Sequence, residues 1–120
     1  MSKPAMGIQL YTLRDHIKTA EDFDMTLARL EKTGVSLVQI SGIGDIPAET
    51  QRDILEKHNM KVCITHKSFD RMENDLDALL AEHETIGVHD IGLGCASKEQ
   101  RGNTANVRDF IKRTGEIARK

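Results

Sequence analysis

Four short apolar runs, Gly7-Ile-Gln-Leu-Tyr11, Leu37-Val-Gln-Ile-Ser41, Lys61-Val-Cys-Ile-Thr65 and Asp90-Ile-Gly-Leu-Gly94, begin at positions 7, 37, 61 and 90, so they recur at steps of 30, 24 and 29. A period near 30 residues is the length of one strand, one loop and one crossover helix. The intervening segments carry helical spacing. Phe23, Leu27 and Leu30 fall at i, i+4 and i+7 before Gly34; Pro47 opens a second segment through Ile54 and Leu55 to a cap at Asn59. A third predicted helix collects Met72, Leu76, Leu79, Leu80 and Ile86 on one side and stops at Gly87. The fourth carries Val107, Phe110, Ile111, Ile117 and Ala118 to the chain end. Regular strand–helix alternation requires parallel strands with right-handed crossovers, because each helix must pack back on the sheet. The fold class is therefore α/β, four βα units in a single domain over residues 1–120.

Composition closes off several functions. The chain has 38% hydrophobic residues, enough for a core, and a formal net charge of −2 from 17 Lys and Arg against 19 Asp and Glu. That balance gives no reason to expect nucleic acid or an anionic membrane as a partner. With no Trp, one Tyr and three Phe, a base-stacking platform is thinly furnished. No apolar run reaches the ~20 residues that span a bilayer, and the start, Met1-Ser-Lys-Pro-Ala-Met-Gly7, lacks a signal-peptide core. Cys63 and Cys95 form no CxxC unit and read as free thiols, so a cytoplasmic location is expected.

In parallel sheets ligands meet the C-terminal ends of the strands. Those ends are Tyr11 to Asp15, Ser41 to Asp45, Thr65 to Phe69 and Gly94 to Lys98. His66 directly follows the third strand, where a neutral imidazole can exchange hydrogen bonds with a substrate hydroxyl; the alternative is a hydrogen-bonded loop histidine. His16, His58, His83 and His89 read as surface or packing residues. Gln9 and Gln39 sit inside strands, where an inward amide can read hydroxyls or complete a structural network. Tyr11 ends the first strand with an apolar body and a polar tip, suited to a sugar pocket or to packing. Gly42-Ile-Gly44 and Gly92-Leu-Gly94 extend to no phosphate-binding fingerprint and read as turn glycines. Asp15 and Asp45 are single carboxylates without partners, and no HxxE, HxH or DxD cluster stands at the strand ends, so no metal ligand or catalytic residue is assigned. Cys63 is expected to pack as a small apolar residue, Cys95 to be more exposed, and Glu82 to Glu84 to form a solvated helix face.

Taken as a set, Gly7-Ile-Gln-Leu-Tyr-Thr-Leu-Arg-Asp15, Gly34, Val38-Gln-Ile-Ser-Gly-Ile-Gly44, Ile46-Pro-Ala48 and Val62-Cys-Ile-Thr-His-Lys-Ser-Phe69 resemble the N-terminal part of the sugar phosphate isomerase/epimerase family, which has the xylose-isomerase-like TIM barrel. The likeness runs through Asp75-Leu-Asp77, Ile86-Gly87 and the last helix. It implies half of a (β/α)8 barrel, and an isomerisation or epimerisation of a sugar or polyol that depends on a divalent metal such as Mg, Mn, Co or Zn. It also implies that Tyr11, Gln39 and His66 wall the sugar pocket, while the metal ligands belong to later strands. The isolated chain is then expected to be inactive. A noncatalytic module that binds a polyol or self-assembles is the second reading, and a flavodoxin-like nucleotide binder the third. Four curved strands with two open edges further suggest a homodimer or a complementary half-barrel as partner.

Overall fold

The computed structural model describes residues 5–120; Met1–Pro4, part of the polar start read above, lie outside them. Four parallel strands pair in the order β1 (Ile8–Gln9), β2 (Leu37–Ile40), β3 (Lys61–His66) and β4 (Ile91–Gly92). Between them run α1 (Ala20–Glu31), α2 (Ala48–Lys57), α3 (Phe69–Asn74) and α4 (Leu76–Ile86), and α5 (Thr104–Ile117) follows β4. The α/β class and the parallel order are as the repeat requires.

One face of the sheet is packed and the other is open. Leu10, Val38 and Ile40 are buried with Phe23 and Leu27 of α1 and Ile54 and Leu55 of α2 in a single apolar cluster. Thr19 caps α1 by accepting from the Asp22 amide, and Gly34, Asn59 and Gly87 take the left-handed conformation that stops α1, α2 and α4. The residues between these on the strands, Gln9 and Gln39, stand opposite each other in register on the uncovered face.

Three elements depart from the sequence expectation. The first strand ends at Gln9 instead of reaching Tyr11, because Leu10–His16 coils into a 3-10 turn in which the Thr12 hydroxyl donates to the Gln9 carbonyl at 2.8 Å. The fourth strand is cut to two residues, since among the described residues it pairs with β3 alone and the register ends at His66. The third predicted helix is two helices. At Asp75 the backbone turns to φ −143°, ψ 37°, and Arg71 bridges the break, its guanidinium bonding Asp75 at 2.9 Å and both carboxylate oxygens of Glu82 at 2.9 Å. Glu82 is thus a half-buried ion-pair partner and not part of a solvated acidic face. Both carboxylates hold Arg71 firmly protonated, Glu82 with the larger effect.

Outside the core, α1 and α2 are clamped by charge. His58 is buried with Nε2 2.6 Å from Asp24 and Nδ1 3.1 Å from Glu31, and Lys57 reaches Asp24 at 2.8 Å. The hydrogen bonds from Lys57 and then His58 hold Asp24 below the ordinary carboxylate range, and His58 does the same for Glu31. Helix α5 is attached differently, with no residue buried. Phe110 meets Phe69 at 5.1 Å between ring centroids, and Arg113 lies over the Phe69 ring at 4.9 Å while forking onto Glu73.

Two outcomes are expected. Leu27→Ala, in the packed core, should cost about 2–5 kcal/mol in urea unfolding, whereas Ile111→Ala on the outer side of α5 should stay within about 0.5 kcal/mol. Because Asp24 and Glu31 have lowered folded values, the clamp contributes in full above the unfolded carboxylate range and is lost as pH falls through the folded values. Urea midpoints measured from about pH 5 to pH 3 should therefore fall more steeply in wild type than in Asp24→Asn.

Candidate functional site

The site is set by a register shift. Val38 opposes Val62 and Gln39 opposes Ile64, so Cys63 has no partner and forms a bulge in β3, its thiol 3.4 Å from the Val38 carbonyl. The extra residue exchanges the two faces of β3 beyond it. Thr65 turns to the helices and is fully buried; His66 turns to the open face. The bulge also explains why Cys63 is exposed instead of packing as a small apolar residue. Cys95, after β4, is exposed as expected.

At the C-terminal ends of the strands an open cleft of about 1040 Å³ is lined by Tyr11, Ser41, His66, Gly94 and, from α5, Asp109 and Arg113, among others. Two of the three wall residues read from sequence, Tyr11 and His66, line this cleft, and Gln39 stands behind His66 with its Nε2 2.7 Å from the imidazole Nε2. Tyr11 is half exposed and carries the Arg14 guanidinium 4.7 Å from its ring centroid. The glycines at the strand ends are more than turn formers. A Cβ on Gly92 would stand 2.7 Å from the His66 Cδ2, so the bare backbone makes room for the ring. On Gly44 it would stand 1.9 Å from the Lys18 carbonyl oxygen, where two backbone segments cross.

Sequence reasoning passed over three groups here. Ser41 is buried at the cleft, yet its hydroxyl has no hydrogen-bond partner among the described residues. Its only sequence signal is its place at the end of β2. Lys67 lines both the cleft and a neighbouring cavity of about 320 Å³; burial pushes its ammonium below the ordinary lysine range, against the attraction of Glu82 and with the repulsion of Arg71. Arg113 comes from a helix 47 residues further along the chain than His66, so no local motif joins them. Asp15 and Asp45 are exposed. Among the described residues no three His, Cys, Asp or Glu side chains gather closely enough to hold a metal ion, so the donor set here does not fit the divalent metal that the resemblance implies. No described helix is long and apolar enough to cross a membrane.

His83 takes the packing role that its place on a helix offered. It is buried in the core, with Nδ1 2.7 Å from the Leu79 carbonyl and Nε2 2.6 Å from the Thr65 hydroxyl. The carbonyl can only accept, so Nδ1 carries the proton and Thr65 donates to Nε2. Burial lowers the pKa of the ring and keeps it neutral.

Four βα units with a cleft at the C-terminal strand ends define half of a TIM-type α/β barrel. No protein-family model and no curated protein matches the chain. Among solved structures it is similar to the crystal structure of a sugar phosphate isomerase/epimerase from Parabacteroides distasonis, at 20% identity and a TM-score of 0.56. The match covers 99% of this chain and 49% of that one, so the chain spans about half the length of the structure it matches. At that identity the likeness establishes a shared fold.

Thermal and urea melts separate the two histidines flanking this layer. His83→Ala should cost about 1–3 kcal/mol, because it strands the buried Thr65 hydroxyl, while His66→Ala on the open face should cost clearly less. Equal losses in the two variants would contradict the assignment of faces.

Proposed function

We propose that this chain supplies one wall of the ligand cleft of a sugar phosphate isomerase/epimerase-like barrel, acting on a sugar or polyol when the barrel is complete. The observation that carries the reading is the buried Ser41 hydroxyl, which lacks a partner at the base of a cleft walled by Tyr11 and His66. A buried hydroxyl without a partner loses its hydration for no return, and a polyhydroxylated ligand restores it. The half-length match to the Parabacteroides distasonis enzyme supports the reaction class. A divalent metal, Mg, Mn, Co or Zn, belongs to this proposal as a group held by residues outside the present donor set. Such a metal would polarise a substrate oxygen. What the chain's own residues do is bind and orient: the phenol of Tyr11, the imidazole of His66 and the hydroxyl of Ser41 are directed at ligand oxygens. The exposed free thiols of Cys63 and Cys95 suit a reducing, cytoplasmic setting.

A second reading, a self-assembling or polyol-binding half-barrel without catalysis, is favoured by the sheet edges. Among the described residues strands β1 and β4 each have one neighbour, and Val107 and Ile111 of α5 are exposed. Its partner is a second copy or a complementary half-barrel.

The test is Ser41→Ala, read by NMR titration of the labelled chain with a panel of aldoses, ketoses, inositols and their phosphates. Stability should hold or rise, since a partnerless polar group is removed, while affinity for the best probe falls about three- to tenfold. Unchanged affinity, or no probe shifting Tyr11, Ser41 and His66 resonances, overturns the ligand-wall reading. Turnover assays on the isolated chain with each metal should stay at background. Light scattering across a concentration series tests self-assembly with a second copy, which a single-chain mass throughout would remove.

A further inference from the structure

Gln39 turns its amide nitrogen toward His66, with Nε2 to Nε2 at 2.7 Å. An amide NH₂ has only hydrogens to offer, so the imidazole Nε2 must present its lone pair and the neutral ring must carry its proton on Nδ1. The two glycines of β4 and its continuation fix which way that proton points. The ring lies across Gly92, where a Cβ would press on Cδ2 at 2.7 Å, and the ring atom nearest a Cβ on Gly94 is Nδ1, at 3.3 Å. Gly94 lines the cleft.

We infer that Gln39 is a positioning residue that locks His66 as a neutral Nδ1–H donor, so that this wall of the cleft recognises an acceptor oxygen of the ligand, a carbonyl or ether-like oxygen or the lone pair of a hydroxyl. With its one lone pair held by Gln39, His66 does not serve as a base toward a substrate hydrogen. A carboxylate at position 39 reverses the arrangement: it can only accept, so the proton moves to Nε2 and the cleft faces a lone pair. The assignment of a ligand oxygen rests on the proposed sugar or polyol site; the tautomer does not.

Long-range ¹⁵N–¹H spectra of the imidazole rings, recorded without ligand at about pH 8, well above the free imidazole titration, read the tautomer directly. In wild type, Nε2 of His66 should resonate as the unprotonated nitrogen and Nδ1 as the protonated one. In the near-isosteric Gln39→Glu the two should exchange, and in Gln39→Leu the single-tautomer pattern should be lost. A wild-type proton on Nε2, or one tautomer shared by wild type and Gln39→Glu, overturns the inference. For a probe that binds wild type, Gln39→Glu should weaken affinity about three- to tenfold with the melting temperature held, a change that a purely structural role would not produce. If no probe binds any variant while the tautomers behave as stated, the sugar-site reading fails and the role of Gln39 stands.

Discussion

The residue that decides what this sheet can do is Cys63, because it is the residue that the β2–β3 ladder skips between Val62 and Ile64. Side chains alternate along a strand, so one unpaired residue sends everything after it to the opposite face. Before the bulge Val62 packs on the apolar core; after it Thr65 binds His83 of α4 and His66 meets Gln39. An unbroken ladder would exchange these last two. The imidazole would then enter the helical layer, where Leu79 and His83 already fill the space, and a threonine would line the cleft. Bulges are rare in parallel pairs, and this one lies directly before the strand end that faces ligand, where re-aiming a side chain matters most.

What could be read from the sequence follows from which forces act locally. The repeat of four apolar runs is a chain-length signature, so the parallel α/β arrangement was legible, as were the ends of α1, α2 and α4 at Gly34, Asn59 and Gly87. The bulge was not, since Val62-Cys-Ile-Thr65 reads as an uninterrupted strand and only pairing with β2 reveals the surplus residue. The break at Asp75 was hidden for a similar reason. Leu76, Leu79 and Met72 keep helical spacing across it, while the cause, the Arg71 fork onto Asp75 and Glu82, is a contact between side chains. The candidate walls Tyr11, Gln39 and His66 came from the family resemblance, but the Gln39–His66 contact spans 27 residues and depends on the shifted register. Ser41 escaped because a missing partner is a property of surroundings, not of residue type.

The far wall of the cleft is held more loosely than its floor. The floor is sheet, backed by Leu10, Val38 and Ile40 under two helices. The wall is α5, whose attachments are an aromatic pair and the Arg113–Glu73 ion pair, all to α3. With no buried residue of its own, such a helix has less burial holding it in place than the packed core, and burial is what resists local opening. Asp109 and Arg113 line the cleft from this helix, so the volume available to a ligand is coupled to how α5 sits on Phe69.

The open sheet face sets the terms for any partner. Leu10, Val38 and Ile40 are already buried beneath the helices, while Gln9, Gln39 and His66 occupy the face that a barrel would enclose. Closing the sheet against a second half would therefore gain little from apolar burial at these positions, because each amide and imidazole brought inside must keep a hydrogen bond. What association gains instead is the pairing of the free edges of β1 and β4 and cover for Val107 and Ile111. Edge pairing is directional, so a partner that closed this sheet into a parallel barrel would have to present parallel strands in register with Ile8–Gln9 and Ile91–Gly92, together with polar groups that complement Gln9 and Gln39. A merely hydrophobic surface satisfies neither condition, and this restricts the partner far more tightly than burial would.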